Sequence, residues 1–209
     1  MSISAEMVRQ LRQETGAGMM DCKTALVEAK GDGKAARDLL RRKGLATAAK
    51  KAGRVASEGV VGSYIHPGSR IGVLVEVNCE TDFVAKTEEF QALVKDLAMH
   101  VAAASPNAAV HVTKDEVSKE VLEKEKEIYR AQAIAQGKPE KVVDRIAEGK
   151  LKEYYQNFVL LEQPFIKDPK LTVGQLILEK IAVLKENIVL RRFTRFKIGE
   201  AAAADPAAE

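Results

Sequence analysis

Three short segments near the N-terminus carry apolar residues at helical spacing. Ser4 is a favoured N-cap for the first segment, which places Val8 and Leu11 on one side. Glycine-rich triplets at 16–18 and 31–33 end the first and second segments. The pattern therefore predicts three helices separated by tight turns within residues 1–53.

The second and third of these helices have a small apolar face. The second runs from about Met19 to Ala29, and Asp32 is placed to cap the third. The apolar positions of the two helices are Cys22, Ala25, Leu26, Ala29, Ala36, Leu39 and Leu40. Three short helices bury little surface, so this module is expected to be marginally stable alone.

After residue 55 the apolar period changes from helical to alternating. Segments 60–65 and 71–77 read as two strands, and the intervening 66–70, with Pro67 and Gly68, is a turn signal. This pattern predicts a β-hairpin.

The remaining segments are predominantly helical. Capping-box patterns at 113–116 and 172–175 predict the starts of two helices, the first of them reaching about Gln136. Helices are also predicted for 90–101, for 139–147 and around 154–158, whereas 163–169 is predicted to be loop. A last strand at 188–198 is expected beside the hairpin and antiparallel to it, because a two-stranded ribbon is marginal by itself.

These elements predict an α+β protein in which a small antiparallel sheet is covered by helices. The predicted domains are a three-helix module at 1–53, an α+β core at 54–199 and a disordered tail at 200–209.

Composition excludes several classes of protein. The 209 residues are 46% hydrophobic, so a packed core is expected, and no apolar run approaches the roughly 18 residues of a membrane span. A net charge of +3 with 5% aromatic residues does not favour a nucleic-acid partner. The two cysteines, Cys22 and Cys79, form no CxxC motif, which favours a reduced, cytoplasmic protein.

The chemistry needed for catalysis is sparse. The three histidines lack the spacing of zinc ligands. The segment Gly31–Lys34 is similar to the end of a phosphate-binding loop, but the next residue is Ala35, where that loop requires Ser or Thr to bind magnesium. We therefore expect no enzyme activity, no metal, no cofactor and no direct nucleotide binding, and infer a protein that acts through its surface.

The segment Thr81–Val84 is the strongest candidate for such a surface. It lies between the second predicted strand and the helix at 90–101. Two interpretations of Asp82 are open: it is the N-cap of the following helix, or it is part of a binding surface. Phe83 could fold back under the sheet or project as a tip.

Two further groups are candidates for partner contact. Met19 and Met20 open the second helix, where they either enter the core or form an adaptable docking surface. The third helix carries a basic run that is either merely solvated or matched to an acidic partner; its members are Arg37, Arg41, Arg42 and Lys43.

At these residues the chain resembles the translation elongation factor Ts family. The resemblance is carried by 8–12 with 15–23 and 25–26 and by 70–85, with weaker matches at 137–139 and 163–165. Further weak matches occur at 172–175 and 195–196, so the resemblance covers nearly the whole chain.

The resemblance implies a guanine-nucleotide exchange factor that binds GDP-loaded elongation factor Tu. It implies that the first module is similar to ubiquitin-associated domains and docks on the G domain of that partner through Arg12, Met19 and Met20. It also implies that Thr81, Asp82, Phe83 and Val84 disturb the partner's magnesium site. Between Thr172 and the last strand the chain has no room for the family's long coiled-coil insertion. It therefore resembles the short form, and this resemblance implies that two copies act together as a homodimer.

Two other functions are compatible with the residues alone. A protein adaptor would use the three-helix module to hold a different partner. An RNA-binding chaperone would use the basic third helix together with Arg191 and Arg192, and its RNA binding would weaken steeply with salt.

Overall fold

A computed structural model describes residues 3–104 and 106–200 of the chain. Its helices are α1 (Ala5–Thr15), α2 (Met19–Glu28), α3 (Gly33–Lys51), α4 (Asp82–Ala85), α5 (Glu88–Ala103), α6 (Lys119–Ala135), α7 (Glu140–Phe158) and α8 (Val173–Leu184). Its strands are β1 (Glu58–Ile65), β2 (Ile71–Cys79), β3 (Pro164–Phe165), β4 (Asp168–Thr172) and β5 (Ile188–Lys197). The predicted α+β fold class is confirmed.

Three strands form one sheet in the order β1-β2-β5. The hairpin closes where the backbone N–H of His66 donates to the carbonyl of Ile71 (2.9 Å), and the N–H of Ile198 donates to the carbonyl of Arg70 (3.0 Å). The end of β5 therefore lies beside the start of β2, so the two strands are antiparallel, as was expected for a strand that completes a marginal two-stranded ribbon. The inward face of β2 is apolar and buried; it consists of Val73, Val75 and Val77.

The chain divides into two compact units. The first unit consists of Met1–Val60, Val77–Leu93 and Gly174–Leu190, and the second of Val61–Glu76, Val94–Val173 and Arg191–Glu209. The domain bounds drawn from the sequence, at 1–53, 54–199 and 200–209, remain a prediction. Residues 201–209 of the predicted tail lie outside the described part of the chain.

Within the first unit, α1, α2 and α3 enclose a small apolar core. Its buried members are Val8, Leu11, Cys22, Ala25, Leu26 and Ala36. The predicted caps form: the Ser4 hydroxyl accepts from the N–H of Met7, and the Asp32 carboxylate accepts from Lys34 and Ala35. Helix α3 also packs closely on α8, because a Cβ at Gly44 would lie only 2.9 Å from the Cβ of Ala182.

Three details differ from the sequence prediction. The segment at 113–116 forms a 3-10 turn instead of opening α6, because buried Val117 is extended and the Ser118 hydroxyl caps α6 by accepting from Val121. The two helices predicted at 139–147 and around 154–158 form one helix, α7, which runs through Gly149; the cost of about 1 kcal/mol for this glycine is outweighed by packing of the flanking turns. The predicted loop at 163–169 contains β3 and the start of β4, a short antiparallel pair.

The second unit contains a buried histidine. The Nε2 of His100 lies 3.1 Å from Oε1 of Gln163, and its Nδ1 accepts from the N–H of Ile166 (3.2 Å). Because Nδ1 is an acceptor, the neutral ring carries its proton on Nε2. Burial lowers the pKa of His100, although the Gln163 contact acts in the opposite direction.

We expect this histidine to make the fold less stable in mild acid. The unfolded chain takes up the proton at a higher pH than the folded chain, so the contribution of His100 is present above about pH 6.5 and is lost as the pH falls. Urea unfolding at about pH 7.5 and about pH 5.5 should therefore show a larger loss of stability in wild type than in His100→Gln. Since His66 and His111 are present in both proteins, an equal loss would contradict this assignment.

No helix in residues 3–104 and 106–200 is long and apolar enough to cross a membrane.

Candidate functional site

Phe83 projects from the surface of the first unit. Its side chain is 79% exposed, whereas Phe90, seven residues later, is 0% exposed. The ring sits on the one-turn helix α4, which buries Ala85 on its inner side. The alternative in which the ring folds back under the sheet is therefore wrong.

Thr81, and not Asp82, is the N-cap of α4. Thr81 is extended, with φ −130° and ψ 154°, and its hydroxyl accepts from the N–H of Val84. Asp82 is the first helical residue, and its carboxylate accepts from Nζ of Lys86 at 2.6 Å. This hydrogen bond and the charge of Lys86 lower the pKa of Asp82, so the carboxylate is ionised at neutral pH.

Contacts on the N-terminal side brace the Thr81–Val84 segment. The carboxylate of Glu186 accepts from the backbone N–H groups of Glu80 (3.1 Å) and Thr81 (3.0 Å), and also from the Thr81 hydroxyl (2.6 Å). The thiol of Cys79 lies 3.1 Å from the carbonyl of Thr81. Burial raises the pKa of this thiol, which keeps it protonated as a donor.

Contacts on the C-terminal side fix where the segment ends. The hydroxyl of Thr87 donates to the carbonyl of Val84 (2.8 Å) and accepts from the N–H of Phe90 (3.3 Å). The side-chain amide of Gln91 donates to the carbonyl of Ala85 (2.6 Å). Buried Phe90 anchors the start of α5, so the exposed ring of Phe83 stands on backbone that is held at both ends.

Met19 and Met20 are both substantially exposed, at 49% and 68%. They open α2 after Gly18, while the opposite side of the helix buries Cys22 and its apolar neighbours. Neither methionine belongs to the buried core of α1–α3, so the alternative of a core role receives no support. Their role in docking stays a prediction.

Arg12 lies in the last turn of α1 and is exposed. Its carbonyl accepts from the N–H of Gly16, which has the left-handed φ of 66° that ends the helix. Within the part of the chain that the structure describes, its guanidinium has no carboxylate partner.

The candidate residues all belong to the first unit. Glu186 and its neighbours, which brace the Thr81–Val84 segment, were not identified from the sequence. Glu186 is separated from Thr81 by 105 positions, and no motif or period relates residues so far apart. Asp82 was considered as the N-cap from the sequence, whereas the N-cap in the structure is the preceding residue, Thr81.

The basic run on α3 is largely paired within the first unit. Arg37 contacts Glu14 at 2.7 Å, Lys43 contacts Glu28 at 2.6 Å and Arg41 lies 4.0 Å from Glu179. These pairs are exposed and contribute little to stability, but they reduce the net charge that the run presents. The arrangement favours the merely solvated reading over an RNA-binding surface.

Comparison with known proteins identifies clear relatives. The family model described as "Elongation factor TS" matches residues 46–200. The chain is 62% identical over 198 residues to the elongation factor Ts of Caldanaerobacter subterraneus subsp. tengcongensis, covering 95% of this chain and 98% of that protein. It is also 60% identical to that of Acetivibrio thermocellus (95% and 91% covered) and 54% identical to that of Solibacter usitatus (99% and 96% covered).

Proposed function

The chain belongs to the elongation factor Ts family, and we propose that it is the guanine-nucleotide exchange factor of elongation factor Tu. It binds the GDP-loaded partner and promotes release of GDP so that GTP can enter. It works by protein–protein contact, without covalent chemistry and without touching the nucleotide. The observation that carries the proposal is the 79% exposed ring of Phe83 on a braced turn.

The magnesium site of the partner is disturbed by four residues: Thr81, Asp82, Phe83 and Val84. Burying the Phe83 ring in a pocket of the partner contributes about 1.5–3 kcal/mol, which is available to favour a conformation that holds magnesium and GDP poorly. Asp82 brings an ionised carboxylate to the same place. Because coupling between two ligands is reciprocal, GDP weakens binding of the exchange factor by the same factor.

Arg12, Met19 and Met20 supply the affinity. Thioether side chains adapt to a partner surface, and the exposed guanidinium is suited to a carboxylate on the G domain. This surface is carried by α1 and α2, whereas the residues that disturb the magnesium site are the N-cap Thr81 and the first three residues of α4. The separation of binding from disturbance allows the two effects to be measured independently.

We further propose that two copies act together, as the short form of the family suggests. The sheet of the second unit exposes large apolar side chains that a second copy would cover: Val61, Ile65, Leu74 and Phe196 are exposed by 66, 61, 46 and 68%. Sedimentation at micromolar concentration should give a dimer, and Phe196→Glu should shift it towards monomer. A wild type that sediments as a monomer at every concentration would rule this out.

The direct test is stopped-flow release of a fluorescent GDP from elongation factor Tu. Adding the chain should accelerate release, with saturation at high concentration, and excess GDP should weaken formation of the factor–partner complex. Binding without any acceleration would instead favour the adaptor reading, in which the helical module only holds a partner.

A further inference from the structure

We propose that Glu186 is a positioning residue, which holds the Thr81–Val84 segment in the orientation at which Phe83 engages the partner. The proposal rests on the proposed exchange function, because it concerns how efficiently a bound molecule drives GDP release. Glu186 lies between α8 and β5 and is partly buried.

The contacts of Glu186 converge on the residue that starts α4. Its Oε2 accepts from the N–H groups of Glu80 and Thr81, at 3.1 and 3.0 Å, and its Oε1 accepts from the Thr81 hydroxyl at 2.6 Å. Thr81 in turn caps α4 through the N–H of Val84. One carboxylate therefore fixes both the backbone and the side chain of the cap, two residues before Phe83.

A reciprocal contact locks the same two stretches of backbone. Glu80 Oε1 accepts from the N–H of Asn187 at 2.6 Å, so each stretch contributes a carboxylate to the backbone of the other. The side-chain amide of Asn187 donates to the carbonyl of Arg54 (2.8 Å), whose guanidinium lies 3.4 Å from Glu80. The hydrogen bond from Asn187 is the main cause that lowers the pKa of Glu80, so the carboxylate is an acceptor at neutral pH.

The adjoining Lys185 contacts α2, which carries the docking methionines, and α3. Its carbonyl accepts from Nζ of Lys51 at 2.6 Å, and its own Nζ lies 3.6 Å from the carboxylate of Asp21, next to Met20. The ion pair is exposed and contributes little by itself. The turn 185–187 therefore contacts both α2, which carries the docking methionines, and the start of α4, which carries Phe83.

A positioning role and a merely structural role predict different kinetics. If Glu186 only stabilised the fold, its loss would reduce the fraction of folded protein and leave the maximal rate per folded molecule unchanged. If it positions Phe83, the maximal rate falls while the concentration for half-saturation stays nearly constant, because the docking residues are untouched. Misplacing a reacting group by about 1 Å can reduce a rate by about a hundredfold, so an effect of about tenfold is expected from a loosened cap.

The experiment compares Glu186→Ala and Glu186→Gln with wild type by stopped-flow release of fluorescent GDP from elongation factor Tu. Glutamine keeps one acceptor oxygen for the two N–H groups, and its amide can donate to the Thr81 hydroxyl. We therefore expect Glu186→Ala to lower the maximal rate about tenfold with half-saturation changed less than about twofold, and Glu186→Gln to retain the rate within about threefold. The control is Glu162→Ala, which removes a partly buried carboxylate paired with Lys114 at 3.0 Å in the second unit.

Rates are normalised to the folded fraction, measured by circular dichroism at the assay temperature. An unchanged normalised maximal rate for Glu186→Ala, or an equal loss in Glu162→Ala, would overturn the positioning role. Failure of wild type to accelerate release would refute the exchange function itself, so the two failures are distinguishable.

Discussion

Replacing Phe83 with alanine is expected to lower the maximal rate of GDP release from elongation factor Tu about ten- to a hundredfold. The ring contributes about 1.5–3 kcal/mol when it is buried in the partner, and each 1.4 kcal/mol corresponds to a factor of ten. Half-saturation should change less than the maximal rate, because the docking surface on α1 and α2 is intact. The measurement is a concentration series of the factor in stopped-flow GDP release.

The same substitution should leave the free factor as stable as wild type. Phe83 is 79% exposed and the caps of α4 and α5 are made by other residues, so its loss removes little buried surface. The matched control is Ile134→Ala, another exposed apolar side chain (63%), which lies on α6 in the second unit. A lowered melting temperature in Phe83→Ala would show that the ring supports the fold; an equally slow Ile134→Ala would show that the effect is not specific to the segment.

Replacing both Met19 and Met20 with alanine is expected to raise the concentration of factor that gives half-maximal GDP release about ten- to a hundredfold. The maximal rate of release should not fall. About half of Met19 and two thirds of Met20 are exposed and available for burial. The pair then contributes about 1.5–3 kcal/mol of binding free energy, which converts to that change in affinity. Adding the double variant at high concentration should restore the wild-type rate.

Val110→Ala is the control for the methionine pair, since it removes an exposed apolar side chain (66%) in the second unit. Both variants should unfold at the wild-type temperature. An unchanged half-saturating concentration in the double variant would show that Met19 and Met20 do not contribute to docking. One with a lowered maximal rate at saturation would assign them to the disturbance instead.

Local patterns predicted the elements that carry the site. The alternation at 71–77 and the helical spacing from Phe90 place a strand and a helix on either side of Thr81–Val84, and both form. The same patterns could not decide whether Phe83 points inward or outward, because a one-turn helix has too few residues to define an apolar face. The cap was misplaced by one residue, since Thr and Asp are both good N-caps and only the backbone angles distinguish them.

The contacts that brace the Thr81–Val84 segment could not be predicted from the sequence. Glu186 and Asn187 follow α8 in a stretch that reads as an ordinary helix-to-strand turn, and their partners are more than 100 positions earlier. A polar side chain in such a turn is usually solvated, so nothing marked these two as bracing residues. The prediction of two separate helices at 139–147 and around 154–158 failed for a related reason, because packing of α6 on α7 outweighs the local propensity of Gly149.

The most direct test of the division between disturbance and docking is one set of saturation curves for GDP release, recorded with wild type, Phe83→Ala and Met19→Ala/Met20→Ala. Phe83→Ala is expected to reach a plateau about ten- to a hundredfold lower at a similar half-saturating concentration, while the methionine variant is expected to reach the wild-type plateau at a higher concentration. Curves in which both variants shift the same parameter by the same factor would contradict this division.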